Sequence, residues 1–565
     1  MGNYLDFIII AVFSAFILGI GLLFARTGAN MKSFFAGGEA VPWFVGGLSL
    51  FMSFFSAGTF VAWGSVAYKY GWVSVTIQWT MAFGSLVAAL FIAPAWKRTG
   101  NLTAAEYIQD RLGARVQQIY IYIFMLVSVF IKGTVLYPVA KLVSVSLGLP
   151  LIEVTIVMGI IMIAYTAVGG LWAVMATDIL QFVVLTAAVL IILPLAFDKV
   201  GGLDRFLQEA PAGFFNGVHG EFSVWFLLAF AFYHIFYIGG NWTFVQRYTS
   251  VDSPKSASKV AYLFAALYLI SPVIWMAPPM IYKVIDPSLQ GLDAENAYLK
   301  ICQLVLPSGL MGLMLTGMYF STSATANTTL NVVAAVFTND LYKNIIKPKA
   351  TEKQLMRVAR VSSWLLGGLM IVVALIVPAM GGMVEVVLSV AAITAGPLLA
   401  PPVWALFSKR LSARATIVIT ISGLLINIFC KAVWPALGGM KLGRATEMMV
   451  GIGIPLLMLL INEFFIARKV SDEYKAYTIK KAARKEKAEQ TKANKHERLQ
   501  IKKQNRFGLK IIAFSLLVTA MILFVLSTLT DSGSTITAVV GFVILLTALI
   551  PWRAALKLKK ELKEI

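Results

Sequence analysis

Long apolar runs alternate with short polar breaks along the whole chain. A hydrocarbon core about 30 Å thick needs about 20 apolar residues per helix. Runs of that kind begin near Tyr4, Val41, Gly71, Val116, Leu151, Trp172, Phe222, Val260, Cys302, Val361, Val384, Leu411, Met448, Gly508 and Thr535, fifteen in all. The pattern predicts an all-α polytopic membrane protein with about 15 transmembrane helices. Gly169-Gly170 separates one pair of spans and Ala379-Met380-Gly381-Gly382 another; glycines punctuate where the chain must turn at once. The first run lacks a basic start and a small-residue cleavage site, so it reads as a retained helix rather than a signal peptide. The largest segment between spans, Arg468 to Arg506, is too short for a soluble domain. Its Lys, Arg, Glu, Gln and Ala predict a solvated helical hairpin or a flexible connector.

Composition agrees. Of the 565 residues, 59% are hydrophobic and 13% charged, and the mean hydropathy is +0.80. Soluble chains run roughly 45–50% apolar and about 25% charged. A cytosolic enzyme, a disordered protein and a fibrous protein are excluded. Two cysteines, Cys302 and Cys430, exclude a disulfide scaffold and a Cys-rich metal or iron–sulfur site.

The net charge of +21 would suggest nucleic acid in a soluble protein, but no recognition motif accompanies it. Its distribution reports topology instead. With the amino terminus outside, about 38 of the 48 Lys and Arg residues fall on the cytoplasmic side and about 8 outside, as the positive-inside rule requires. Lys132 and Lys141 lie within a span. The expected orientation is amino terminus outside and carboxyl terminus cytoplasmic in a plasma (inner) membrane, with anionic lipid headgroups against the basic connector. Oligomeric state is left open.

An ionisable group inside the bilayer costs at least about 2.5–3.5 kcal/mol and is a functional hypothesis by default. Asp178, early in its span, is read as functional. Lys132 is read either as functional or as half of a structural ion pair with a carboxylate. His234, in the run Phe230-Ala231-Phe232-Tyr233-His234-Ile235-Phe236-Tyr237, is either a satisfied interior histidine or a site residue; alone it makes no metal site. Lys141, one turn from a helix end, can snorkel toward water and is read as structural. The stretch Ser321 to Thr329 interrupts an apolar span with hydroxyls. Such residues serve close helix packing, or supply the oxygens that a hard cation such as sodium needs in place of water. Thr325 and Thr328 align with Ser321, and Asn327 is rotated away. The spans from Val41 and Phe222 are also interrupted, at Gly46-Gly47 and Ser56-Ala57-Gly58-Thr59 in one and Gly239-Gly240-Asn241 in the other. Interrupted helices at matching places in two halves point to a transporter's midplane site. Counting five spans from each puts an interrupted helix first in each half.

Phe35-Ala36-Gly37-Gly38, Thr103-Ala104-Ala105-Glu106-Tyr107, the stretch Gly169-Gly170-Leu171-Trp172-Ala173-Val174-Met175-Ala176-Thr177-Asp178-Ile179-Leu180-Gln181, and Val245-Gln246-Arg247 resemble the sodium:solute symporter family, over roughly Tyr4 to Phe465. The resemblance implies a LeuT-type fold of two inverted five-helix repeats with extra helices, and alternating access driven by sodium. The implied organisation is an additional amino-terminal helix and loop over 1–40, and five-helix repeats over 41–200 and 201–410. Two additional helices follow over 411–467, then a basic connector over 468–507 and two final helices over 508–565. One sodium is implied at carbonyls of Met52, Phe55 and Ser321 and the hydroxyl of Thr325; many members carry a further hydroxyl where this chain has Ala324. Asp178, Asn327 and Thr328 match a second sodium position. Thr59, Ile131, His234 and Tyr268 fall at substrate-contacting positions, and Tyr237 at an inner aromatic gate. Members that carry acidic sugars have an Arg where this chain has Ile131; a register shift of one residue would bring Lys132 into the pocket instead.

The expected function is sodium-coupled import of a small polar solute. Phe54, Phe55, Phe236, Tyr237, Tyr268 and Trp242 favour a sugar-like ring over a monocarboxylate or amino acid. The rival from another class is a solute sensor on a transporter fold. The chain ends at Ile565, soon after its last span, which argues against a fused catalytic output domain. No nucleophile–base set or phosphate loop supports an enzyme.

Overall fold

The computed structural model describes residues 4–25, 41–101, 103–164, 171–322, 342, 347, 351–491, 495–530 and 533–563. Regular structure among them is helical throughout. Lipid offers no partner for backbone amides, so each spanning segment must satisfy its own hydrogen bonds.

Among the described residues, nine helices are long and apolar enough to cross a membrane, or eleven when each of two bent pairs counts as one span. The bent pairs are Trp43–Phe54 with Thr59–Tyr70, bent by 63°, and Val224–Gly240 with Trp242–Thr249, bent by 54°. Four shorter apolar helices, Tyr4–Phe16, Leu151–Ile160, Leu310–Thr322 and Trp364–Met380, accompany them. The sharp bends fall on the two interruptions read from the sequence.

One boundary differs. The run from Cys302 was expected to be a single span. Cys302 instead lies in the last turn of a short helix, Ala297–Val305, and a separate apolar helix, described over Leu310–Thr322, follows it. Pro307 and Gly309, which adopts a φ of +89°, break the ladder between them. Asp6 of the first helix completes the restart: its Oδ1 accepts from the amides of Gly309 at 2.7 Å and Gly312 at 2.9 Å. A carboxylate at a helix start satisfies otherwise orphaned amides.

The basic connector is helical where described, as a helical hairpin would be, and its first helix docks on the bundle. Asp472–Thr491 is one helix, and Lys495–Leu529 runs unbroken from connector into span. Arg484 reaches Glu106 at 2.9 Å and Asp110 at 2.7 Å on the helix Ala104–Leu112. Tyr477 packs edge-on against Tyr107, and the Arg111 guanidinium lies over the Tyr474 ring. Charge-rich composition did not reveal this because the partners are more than 370 residues away.

Candidate functional site

At the first break the helix Trp43–Met52 ends, and the Phe55 amide reaches only the Met52 carbonyl, at 3.1 Å. Ser56 restarts the chain: its Oγ accepts from Gly58 N at 3.2 Å, while its own amide donates to Thr59 Oγ1 at 3.4 Å. The π-helical turn Thr59–Trp63 then leads into Gly64–Tyr70. Ser321 Oγ donates to the Phe55 carbonyl at 2.8 Å, and Ala57 N donates to Thr322 Oγ1 at 3.1 Å. The break and the last described turn of Leu310–Thr322 therefore meet through oxygens. Unwound carbonyls and hydroxyls are the hard donors that suit sodium. Of the first proposed sodium set, the structure brings Met52, Phe55 and Ser321 to this junction. Ala324 and Thr325 lie outside the described residues.

Asp178 sits in a different set of contacts. Its Oδ2 accepts from Ser49 Oγ at 2.6 Å and lies 3.6 Å from Arg247 Nη2. Arg247 also donates to Ser49 Oγ at 3.3 Å and to the Thr243 carbonyl at 3.1 Å. Asp178 is 4% exposed and Arg247 3%. Three segments, Trp43–Met52, Leu171–Val200 and Trp242–Thr249, are thus joined by a buried ion pair. Asn327 and Thr328, the other residues of the second proposed sodium set, lie outside the described residues.

The second break is capped by Asn241, whose Oδ1 accepts from Thr243 N at 3.0 Å. Carbonyls freed before it are taken by Trp96 Nε1 on Gly239, at 2.7 Å, and by Tyr248 OH on Ile238, at 3.1 Å. Between the two breaks lies a cluster of rings. Tyr268 is within 5.0 Å of Phe51, 4.7 Å of Phe264, 6.1 Å of Phe54 and 6.4 Å of Phe55, centroid to centroid. Tyr237 meets Phe54 at 5.8 Å. Tyr268 is 0% exposed, and its hydroxyl has no hydrogen-bond partner among the described residues.

The structure gathers Tyr237 and Tyr268 with Phe54 and Phe55, and places buried Thr59 at the restart beside them. His234 faces a neighbouring helix through one ring nitrogen. Its Nδ1 pairs with Thr80 Oγ1 at 2.8 Å, and Phe230 and Tyr233 pack against its ring. The helix Val73–Val87 comes so close there that a Cβ on Gly84 would lie 2.7 Å from the His234 carbonyl carbon. Trp242 stacks on Phe124 at 4.6 Å rather than on the central rings. Ile131 lies on the helix Ala114–Leu147, as does Lys132, whose side chain lies outside the described residues. Lys141 does not snorkel: it is buried against Glu295 at 2.8 Å.

Sequence reasoning missed Ser49, Thr80, Glu295 and the partner role of Arg247. Arg247 carried a usable signal, a guanidinium in a short segment between apolar runs. Glu295 carried none, because it sits in a polar stretch that reads as solvated loop.

The sodium:solute symporter family model matches residues 34–423. The chain belongs to the sodium:solute symporter family. Similar members include a sodium/glucose cotransporter from Vibrio parahaemolyticus, 24% identical over 76% of this chain and 85% of the relative. Another is the sodium-coupled monocarboxylate transporter 1 of Mus musculus, 27% identical over 80% and 74%. Among solved structures, a Na+-coupled sialic acid symporter in a substrate-bound outward-open state superposes with a TM-score of 0.67 at 20% identity, covering 83% of this chain and all of that one. This multi-pass membrane protein of a sodium-coupled symporter family therefore has the LeuT-type fold.

Proposed function

We propose that this symporter imports a small, neutral, polar organic solute, sugar-like rather than acidic, together with one or two sodium ions by alternating access. The carrying observation is the ring cluster around the two breaks, with the Tyr268 hydroxyl, which has no hydrogen-bond partner among the described residues, inside it. Rings flank a sugar face well, and a small number of placed polar groups fixes orientation. Among the described residues, Lys141 and Arg247, two cations of the spans, already face carboxylates, which leaves them poorly placed to hold a substrate carboxylate. A monocarboxylate or amino acid is the alternative, and it would enlist Lys132. In this reading the amino terminus and the Glu295 end face outward, the carboxyl terminus is cytoplasmic in the plasma membrane, and the basic connector faces anionic lipid.

Sodium would sit where the Phe55 carbonyl meets Ser321, with Met52 and Thr325 completing the shell. It would favour the outward-open arrangement by its differential affinity for the two states. Tyr237, packed on Phe54, would part as the inner path opens. Proteoliposomes loaded against an inward sodium gradient and offered sugars, amino acids and monocarboxylates test this. Sodium-driven uptake of a sugar is expected. Solute binding without flux would favour a sensor, and uptake of acids alone would move the assignment to monocarboxylates. Thr325→Ala is expected to raise the half-saturating sodium concentration severalfold; an unchanged value removes Thr325 from the shell.

A further inference from the structure

At the end of the bundle opposite Arg484, the first turn of the helix Met383–Ala405 is held from below by one carboxylate. Glu295 is 3% exposed. Its Oε1 accepts from the Met383 amide at 2.6 Å, and its Oε2 accepts from Tyr137 OH at 2.9 Å and Lys141 Nζ at 2.8 Å. Lys141 also donates to the Leu292 carbonyl at 2.9 Å. A carboxylate is well placed at a helix start, where free amides and the dipole favour negative charge. The approach depends on the turn Gly381-Gly382, whose φ values are +93° and +90°. A Cβ on Gly382 would stand 2.6 Å from Glu295 Oε1, so both conformation and space call for glycine.

This contact reaches the centre of the protein by two routes. The Met383 methyl lies at 3.0 Å from where a Cβ on Gly58 would be, so it rests on the first break. Three residues past Glu295, Tyr298 packs on Phe60 at 4.6 Å; Phe60 stacks on Trp275 at 5.5 Å, and Trp275 meets Phe55 at 3.7 Å. The segment that carries the carboxylate thus also carries Tyr298, the first ring of a stack that reaches Phe55. On its other side the same helix turn is tied outward, through Glu385 to Lys431 at 3.0 Å and to Arg444 at 3.2 Å.

We infer that Glu295, with Lys141, Tyr137 and the Met383 amide, is the latch that holds the outer path of this symporter closed, and that the latch must release before solute can enter. Glu295 and Lys141 are positioning residues: they set the balance between closed and outward-open states and touch neither solute nor sodium. A ligand that binds only one state gains apparent affinity when that state becomes more populated. Weakening the latch should therefore improve sodium binding from outside, whereas general damage to the fold would weaken it. This inference rests on the proposed outward orientation of the Glu295 end.

The test uses the full chain with Cys302 and Cys430 replaced by serine and Thr59→Cys as reporter, labelled in intact cells by a membrane-impermeant maleimide. Exposed Ser288→Cys reports which end faces outside. If Ser288→Cys labels only in inside-out vesicles, the orientation fails and the same series is run in those vesicles. Glu295→Gln keeps an acceptor for the Met383 amide and loses the charge, while Glu295→Ala loses both. Labelling at position 59 is expected to rise severalfold with Glu295→Gln and Lys141→Met, and about tenfold with Glu295→Ala. The half-saturating external sodium concentration for uptake is expected to fall severalfold with Glu295→Gln. Unchanged labelling in variants that elute as a single species overturns the latch, as does a rise in the sodium requirement. A parent chain that takes up solute without sodium overturns the proposed coupling and leaves the labelling result to decide the latch.

Discussion

Replacing Arg247 with methionine is expected to destabilise the folded protein by about 3–5 kcal/mol, the usual loss when one partner of a buried ion pair is removed. The remaining carboxylate would be 4% exposed, with Ser49 Oγ, donating at 2.6 Å, as its remaining partner and no cation to balance its charge among the described residues. Three segments would also lose their common tie, since Arg247 bridges Asp178, Ser49 and the Thr243 carbonyl. The double variant Asp178→Asn, Arg247→Met removes both charges and should recover most of the loss, because neither buried group is then left unbalanced. Thermal unfolding in detergent, followed by tryptophan fluorescence, measures both.

The same pair bears on sodium stoichiometry. If Asp178 binds a second sodium, Asp178→Asn lowers the sodium:solute ratio from two to one. In that case Arg247→Met should also make stability more sodium-dependent, since the freed carboxylate binds the ion in the folded state only. If the ion pair is the whole role of Asp178, the ratio stays unchanged in Asp178→Asn and the destabilisation by Arg247→Met is the same with and without sodium.

The architecture was legible because lipid constrains it so strongly. Segments that must satisfy their own backbone announce themselves as long apolar runs, and the two places where helices break are marked by Gly, Ser and Asn. The site was legible only in part. Phe55 facing Ser321 followed from the family resemblance, and Tyr268 with Tyr237 followed from the same source. What failed were pairings across the chain. Sequence spacing shows which residues share a helix face, but not that Lys141 faces Glu295, 154 residues on, or that Arg484 faces Glu106. His234 adds another pairing of this kind: an ionisable residue in an apolar run is a site candidate from the sequence, and its Nδ1 pairs with Thr80 Oγ1 one helix away. Asp6 escaped notice because one acid near a helix end is cheap to place in water; its use as the cap of another helix is a tertiary fact.

Tyr268→Phe is expected to raise the solute concentration for half-maximal uptake about tenfold while leaving the maximal rate little changed, and to stabilise the solute-free protein by about 1–3 kcal/mol. Both effects come from one atom. A buried hydroxyl without a partner carries a desolvation penalty of about 1–3 kcal/mol, and such groups are rare enough in native proteins to need an explanation. Here the ring is fully buried among Phe51, Phe54, Phe55 and Phe264, so phenylalanine keeps the packing and removes only the oxygen. A solute that supplies the missing partner would gain about 1.4 kcal/mol from it, a factor of ten. That contribution is uniform binding, which moves half-saturation and not the maximal rate. A series of deoxy analogues of the transported sugar locates the bond. The analogue that lacks the partner oxygen should be carried equally well by the parent and by Tyr268→Phe, while every other analogue keeps the tenfold difference. Equal half-saturation for all analogues, with the stability gain intact, would show that the hydroxyl faces no part of the solute, and the sugar-like assignment would lose its main support.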